Sequence, residues 1–170
     1  MIEAFASIQA EEPRILILGS VPSVKSLEKA EYYGHERNAF WPIMDKLYNQ
    51  GRGFSSYQDK KELIRANNLA LWDVVGRCER KGSLDSAIKD VVPHDLQSYL
   101  LAYQTIEKIL FNGKASALIY KREIGYYPKS IEFCVMPSTS PAYTISFNKK
   151  YELWQKKLTL SKGNKALVND

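Results

Sequence analysis

The stretch Tyr32 to Trp41, YYGHERNAFW, sets Tyr32, Tyr33, Phe40 and Trp41 around His35 and Asn38. Rings interleaved with hydrogen-bonding groups suit a flat, partly polar ligand such as a nucleobase, which is stacked on its faces and hydrogen-bonded at its edge. Asn38 cannot take up a proton in the useful range, but its amide oxygen can orient a water molecule. Asn is also a favoured helix cap, and that reading stands beside the first. Asp73 ends the apolar run LALWD, where an unpaired carboxylate is costly. It could accept from a ligand N–H or cap a turn. Asn112, before Gly113, could touch the ligand or only close a turn. Tyr33 could stack on a ligand or pack in the core, and His35 reads as a hydrogen-bonded structural residue.

These residues need a scaffold. Arg14 to Leu18, Leu69 to Val75, Ile106 to Asn112 and Ile131 to Met136 read as short buried strands, with helical patterns between them. Alternating β and α segments predict a parallel sheet covered by helices. The first strand runs into the turn GSVPS, Gly19 to Ser23, where backbone can approach a ligand closely. Phe40, Ile43, Met44, Leu47 and Tyr48 form one helical stripe, and Pro42 places the helix start so that Asn38 lies at its lip. Further helices are expected at Asp59 to Ala66, Ser83 to Lys89, Asp95 to Tyr103, Lys114 to Glu123 and Asn148 to Leu160. The chain reads as one domain over residues 1–160 and a frayed polar tail over 161–170.

Composition narrows the classes. With 45% hydrophobic and 25% charged residues the chain is not largely disordered. Its 24 Lys and Arg against 19 Asp and Glu give a charge of +5, which favours a polyanionic partner without proving one. Two histidines and the distant Cys78 and Cys134 offer no metal-ligand spacing. No stretch reaches the roughly 18 apolar residues of a membrane span, and no secretory signal opens the chain, so a cytoplasmic protein is expected.

Four islands, GSVPSVKSL with YYGHERNAFW, LALWDVVGRCERKGSLDSAI, ILFNGKAS and MPSTSPAYT, follow one another in a specific order. Together they resemble the uracil-DNA glycosylase superfamily, most closely its hypoxanthine-DNA (deoxyinosine) glycosylase branch, with the pattern GSxPGxxSL followed by YYxHPxNxFW. The resemblance implies a three-layer α/β/α sandwich around a four-stranded parallel sheet, with the active site at the strands' carboxyl ends. It implies a monofunctional glycosylase acting as a monomer on DNA containing deaminated bases, without metal or organic cofactor. Cleaving an N-glycosidic bond passes through an oxocarbenium-like sugar and an anionic leaving base, so charge stabilisation and a positioned water serve without a strong nucleophile.

By the same resemblance Asn38 is catalytic, and Gly19, Ser20, Pro22, Ser23, Tyr33, Asp73 and Asn112 bind the substrate base. The proline-containing loop Pro137 to Thr144 would meet DNA through Ser138, Thr139, Ser140 and the wedge candidate Tyr143, and Arg37, Lys114, Lys149 and Lys150 are candidates for phosphate contact. The chain departs from the wider superfamily at Val21 and Met136, where other members carry a water-orienting Asp or Asn and a His or Asn. Glu36 replaces a proline and is either a solvated charge or a second group acting on water; Ser23 replaces a glycine. Two alternatives remain at this point: a uracil or mismatch glycosylase, and a non-catalytic lesion-binding or nucleotide-sensing module. The losses at Val21 and Met136 keep the second open.

Overall fold

A computed structural model describes residues 1–168, with side chains through Thr159. The expected tail over 161–170 therefore lies, in its side chains and last two residues, outside the described residues. In chain order the elements are β1 (Ile2–Glu3), β2 (Ile8–Gln9), β3 (Ile15–Gly19), α1 (Val24–Lys29), α2 (Phe40–Tyr48), α3 (Tyr57–Ala66) and β4 (Leu69–Asp73). They continue with β5 (Val75–Glu79), β6 (Lys89–Pro93), α4 (Leu96–Ala102), β7 (Lys108–Asn112), α5 (Lys114–Glu123), β8 (Glu132–Met136) and α6 (Phe147–Val168).

Alternation along β3 builds the layers. Ile15 and Ile17 point to one face, where they meet Phe40, Ile43 and Met44 of α2, Ile64 of α3, and Trp154 and Leu158 of α6. Leu16 and Leu18 point to the other, against Leu96 and Leu100 of α4 and Ile119 and Tyr120 of α5. A strand buried on both faces must be apolar at every position, which is why ILIL carries no polar residue. Phe40, Ile43 and Met44 are fully buried, each contributing about 1.5–3 kcal/mol against the sheet.

The four expected strands are present and parallel, in the order β4-β3-β7-β8. A fifth strand, β2, joins antiparallel beside β4, so the central sheet is mixed rather than purely parallel. A second antiparallel sheet, β1-β5-β6, grows from the end of β4. It corrects one expectation: Ser83 to Lys89 is no helix, but a loop with a short 3-10 turn at Asp85–Ala87 leading into β6.

Successive crossovers leave β3 in opposite directions, β4 on one side and β7 on the other. Such a reversal opens a crevice beyond the strands' carboxyl ends. Gly19 and Asp73 stand in register at that end, as do Asn112 and Met136.

Candidate active site

The crevice holds a cavity of about 470 Å³, within the roughly 300–1,000 Å³ range of small-ligand sites. Gly19, Ser20, Val21, Pro22 and Ser23 line it from the turn after β3, and Asp73 and Asn112 from the ends of β4 and β7. Tyr33, His35 and Asn38 enter from the segment before α2, and Ser138, Thr139 and Ser140 from the loop after β8. Arg37 and Tyr143 are not among the lining residues; both are exposed at the surface.

Asn38 sits at the lip of α2, half-buried. From one residue ahead of the N-cap, Ala39, its Oδ1 accepts from the Phe40 N–H at 2.9 Å, and the side chain also lines the cavity. An amide oxygen has two lone pairs, and this single bond leaves one for another donor. The turn that presents it is closed by Asn38 N–H to the His35 carbonyl at 2.9 Å, while His35 Nδ1 accepts from the Arg37 N–H at 3.0 Å. His35 is thus a structural turn residue, as expected. Glu36 is exposed, with its carboxylate 3.6 Å from Lys29 Nζ. Its own backbone N–H and then Lys29 hold its pKa below the ordinary value.

Tyr33 adopts φ 53°, a left-handed conformation that costs a tyrosine on the order of 1–3 kcal/mol. Its neighbours hold it there: the Tyr32 N–H donates to the Tyr57 hydroxyl at 3.0 Å and the Gly34 N–H to Ser26 Oγ at 2.9 Å. One side of the ring packs on Phe40, with centroids 4.3 Å apart. Its buried hydroxyl has no hydrogen-bond partner. Burial, then the charge of Asp73, raise the phenol pKa, and the nearby Asn112 amide opposes the rise without hydrogen-bond geometry.

Asp73 is 3% exposed and its Oδ2 is likewise unpartnered. Loss of water pushes its pKa from the ordinary 3.8 up to about 7. From outside, His94 Nδ1 meets the Asp73 backbone carbonyl at 2.7 Å, and the His94 ring stacks on Trp72 at 4.0 Å. Gly19 makes room for this arrangement. A Cβ there would come within 2.5 Å of Asp73 Oδ1 and 3.1 Å of the Tyr33 hydroxyl.

Asn112 is more than a turn residue. Its Nδ2 donates to Thr139 Oγ1 and its Oδ1 accepts from the Thr139 N–H, both at 2.9 Å, fastening the last loop to the end of β7. Thr139's carbonyl in turn accepts from the Ala39 N–H at 2.9 Å, tying the loop to the lip of α2. From α6, Trp154 Nε1 donates to the Pro137 carbonyl at 3.0 Å and Lys150 Nζ to the Ser140 carbonyl at 2.9 Å. Lys150, a candidate for phosphate contact in the sequence, is instead a strut that is 4% exposed. Lys114 and Lys149 are exposed.

Sequence reasoning missed one wall. The loop between β5 and β6 contributes Ser83, Leu84 and Asp85 to the cavity. The island GSLDSAI carries the signal, but its pattern predicts a helix rather than this loop. Val21 lines the cavity without a polar group, and Met136 is buried outside the lining. Among the described residues no group of three or more His, Cys, Asp or Glu could hold a metal ion. No described helix is long and apolar enough to cross a membrane.

An amide at a helix lip, a buried carboxyl and an unpartnered phenol thus share one cavity at the strands' carboxyl ends. The model of the uracil DNA glycosylase superfamily matches residues 5–162, and the chain belongs to that superfamily. Within it the chain is similar to the hypoxanthine DNA glycosylase of Methanosarcina barkeri, 30% identical over 154 residues that cover 89% of this chain and 94% of the relative. It is 33% identical over 140 residues to the hypoxanthine DNA glycosylase of Methanosarcina acetivorans, covering 81% and 85%. The solution NMR structure of a candidate uracil DNA glycosylase from Methanosarcina acetivorans matches with a TM-score of 0.73 at 30% identity, covering 92% of this chain and 97% of that one.

Proposed function

We propose that the protein is a monofunctional DNA glycosylase that hydrolyses the N-glycosidic bond of deaminated bases, chiefly hypoxanthine, as a single-domain monomer in the cytoplasm. One observation carries the reading. Asn38 opens onto the same cavity into which Asp73 and Tyr33 bring buried polar atoms without partners. Leaving such atoms unpaired is costly, and a ligand with complementary edges removes the cost.

Hypoxanthine has an N1–H beside a carbonyl, whereas adenine has a lone pair at N1. An ionised Asp73 accepts from the first and repels the second. The free lone pair of Asn38 accepts from a water whose oxygen attacks C1′. The C1′–N9 bond breaks as the C1′–O bond forms, the base leaves with the electron pair of the broken bond, and the proton the attacking water gives up passes to solvent, from which the departed base takes one. With Val21 and Met136 unable to assist, water placement falls to Asn38. The two Methanosarcina relatives named as hypoxanthine DNA glycosylases support the choice of base.

The test is incubation of the protein with duplexes carrying one inosine, uracil or xanthine, reading alkali-labile strand breaks. Inosine is cleaved fastest on this reading. Equal or faster release of uracil overturns the specificity, and absence of product from all three overturns the activity.

A further inference from the structure

The segment Ile2 to Gln9 reaches the cavity. Ile2 and Glu3 pair with Cys78 and Arg77 of β5, and Ile8 and Gln9 with Leu71 and Ala70 of β4, so the link between them runs past the end of β4, where Asp73 stands. The link is fastened through its backbone: the Ala4 N–H donates to the Gly76 carbonyl at 2.9 Å, Trp72 Nε1 to the Phe5 carbonyl at 3.2 Å, and the Tyr32 hydroxyl to the Ala6 carbonyl at 2.8 Å. Phe5 is half-buried and lines the cavity, its ring nearly perpendicular to that of Tyr32 with centroids 5.3 Å apart. It packs in the same cluster as Leu69 and Leu71, and alternation along β4 turns Asp73 to that face as well. β2 and β3 flank β4 on opposite sides. The Asp73 carboxyl therefore has the Phe5 link on its β2 side, and on its β3 side the Tyr33 hydroxyl, 3.1 Å from where a Cβ on Gly19 would stand.

An N–H facing Asp73 does not by itself single out hypoxanthine. Guanine and xanthine have the same N1–H beside the same C6 carbonyl, and uracil and thymine present an equivalent N3–H beside a C4 carbonyl. What sets hypoxanthine apart is the other flank of that N–H. There it carries a bare C2–H, where guanine has an amino group and xanthine, uracil and thymine have a carbonyl. The two flanks of Asp73 match this difference. The Tyr33 hydroxyl, buried without a partner, can donate to the carbonyl that all these bases share. A phenyl ring offers neither donor nor acceptor, so a polar group pressed against it loses its water without compensation. We propose that Phe5 packs on the C2–H of hypoxanthine and excludes bases that carry an amino or carbonyl group there, so that this link, rather than Asp73, separates hypoxanthine from guanine. Guanine is a normal base present throughout DNA, and a pocket that read the lactam alone would attack it.

The role of Phe5 rests on the proposed function, and its test keeps the two apart. Single-turnover release of hypoxanthine, xanthine, uracil and guanine from otherwise identical duplexes is measured for wild type, Phe5→Ala and Phe5→Leu. Each rate is divided by the hypoxanthine rate of the same preparation, a ratio that does not depend on the fraction of protein folded. Phe5→Ala should raise the xanthine, uracil and guanine ratios about tenfold or more, and Phe5→Leu, which keeps an apolar wall, should stay within about threefold of wild type. Unchanged ratios in Phe5→Ala overturn the gate and leave the activity reading intact. Wild type releasing xanthine or uracil as fast as hypoxanthine overturns it whatever the variants do. Fluorescence anisotropy with duplexes carrying the same four bases on a 2′-fluoroarabino sugar, which resists hydrolysis, gives a readout that needs no turnover. There wild type should favour the hypoxanthine duplex, and Phe5→Ala should narrow its margin over guanine several-fold. Should wild type release no base from any duplex, the activity reading fails, and the anisotropy comparison still decides the gate: an equal margin in both proteins overturns it.

Discussion

Replacing Asp73 by asparagine keeps the shape of the strand end and removes its titration. The wild-type carboxyl has its pKa raised from 3.8 to about 7 by burial. Between those values the folded protein holds a proton that the unfolded chain has released. Stability conferred by the neutral form is therefore fully present below pH 4 and is lost as pH rises through 7. The loss amounts to roughly 4 kcal/mol once the group is ionised in both states, from about 1.4 kcal/mol per pKa unit. Asparagine carries its own cost of burying an amide, but that cost does not change with pH. Urea unfolding at constant ionic strength from pH 4.5 to 8.5 should thus show the variant gaining on wild type by several kcal/mol across the range. Parallel curves would refute the burial argument. The same substitution should lower hypoxanthine release on the order of tenfold and narrow the preference over adenine, because an amide accepts and donates where a carboxylate only accepts. Wild-type kcat/KM for inosine should rise with pH and level off above about 7, as the accepting form is populated.

Gly19→Ala places a methyl 2.5 Å from Asp73 Oδ1. Displacing the carboxyl should cost on the order of 2 kcal/mol and most of the activity, read by thermal unfolding and single-turnover kinetics; a fully active, equally stable variant would show that the close approach is unimportant. Asn112→Ala removes both hydrogen bonds to Thr139 and should destabilise by about 1–3 kcal/mol. Amide exchange should accelerate first in Ser138 to Ala142, and unchanged exchange there would argue against a fastening role.

Much of this was legible in the residues. Ile15 to Leu18 announces a strand buried on both faces because no polar side chain interrupts it, and Pro42 fixes the start of α2 through its missing N–H. The two-residue β2 gives no periodic signal, since its only definition is pairing with Leu71 and Ala70 some sixty residues away. On the sequence Ser83 reads as a local helix cap, yet its hydroxyl accepts from the Val24 N–H at the start of α1, a contact distant in sequence. Lys150 shows the converse limit. A lysine among polar neighbours looks solvated until α6 turns it toward the Ser140 carbonyl. On the sequence Asn38 fits a helix cap and a water-orienting amide alike; in the structure Ala39 is the N-cap, and Asn38 accepts from the Phe40 N–H while its side chain lines the cavity.

The water-placing role of Asn38 is tested most directly by Asn38→Ala under single-turnover conditions with an inosine duplex, alongside binding to an abasic duplex. Losing the hydrogen bond to the Phe40 N–H costs about 1 kcal/mol of stability, which folding measurements can subtract. Release of hypoxanthine should fall about 100-fold or more while binding changes only several-fold. A variant that folds, binds and releases the base at the wild-type rate would contradict the assignment.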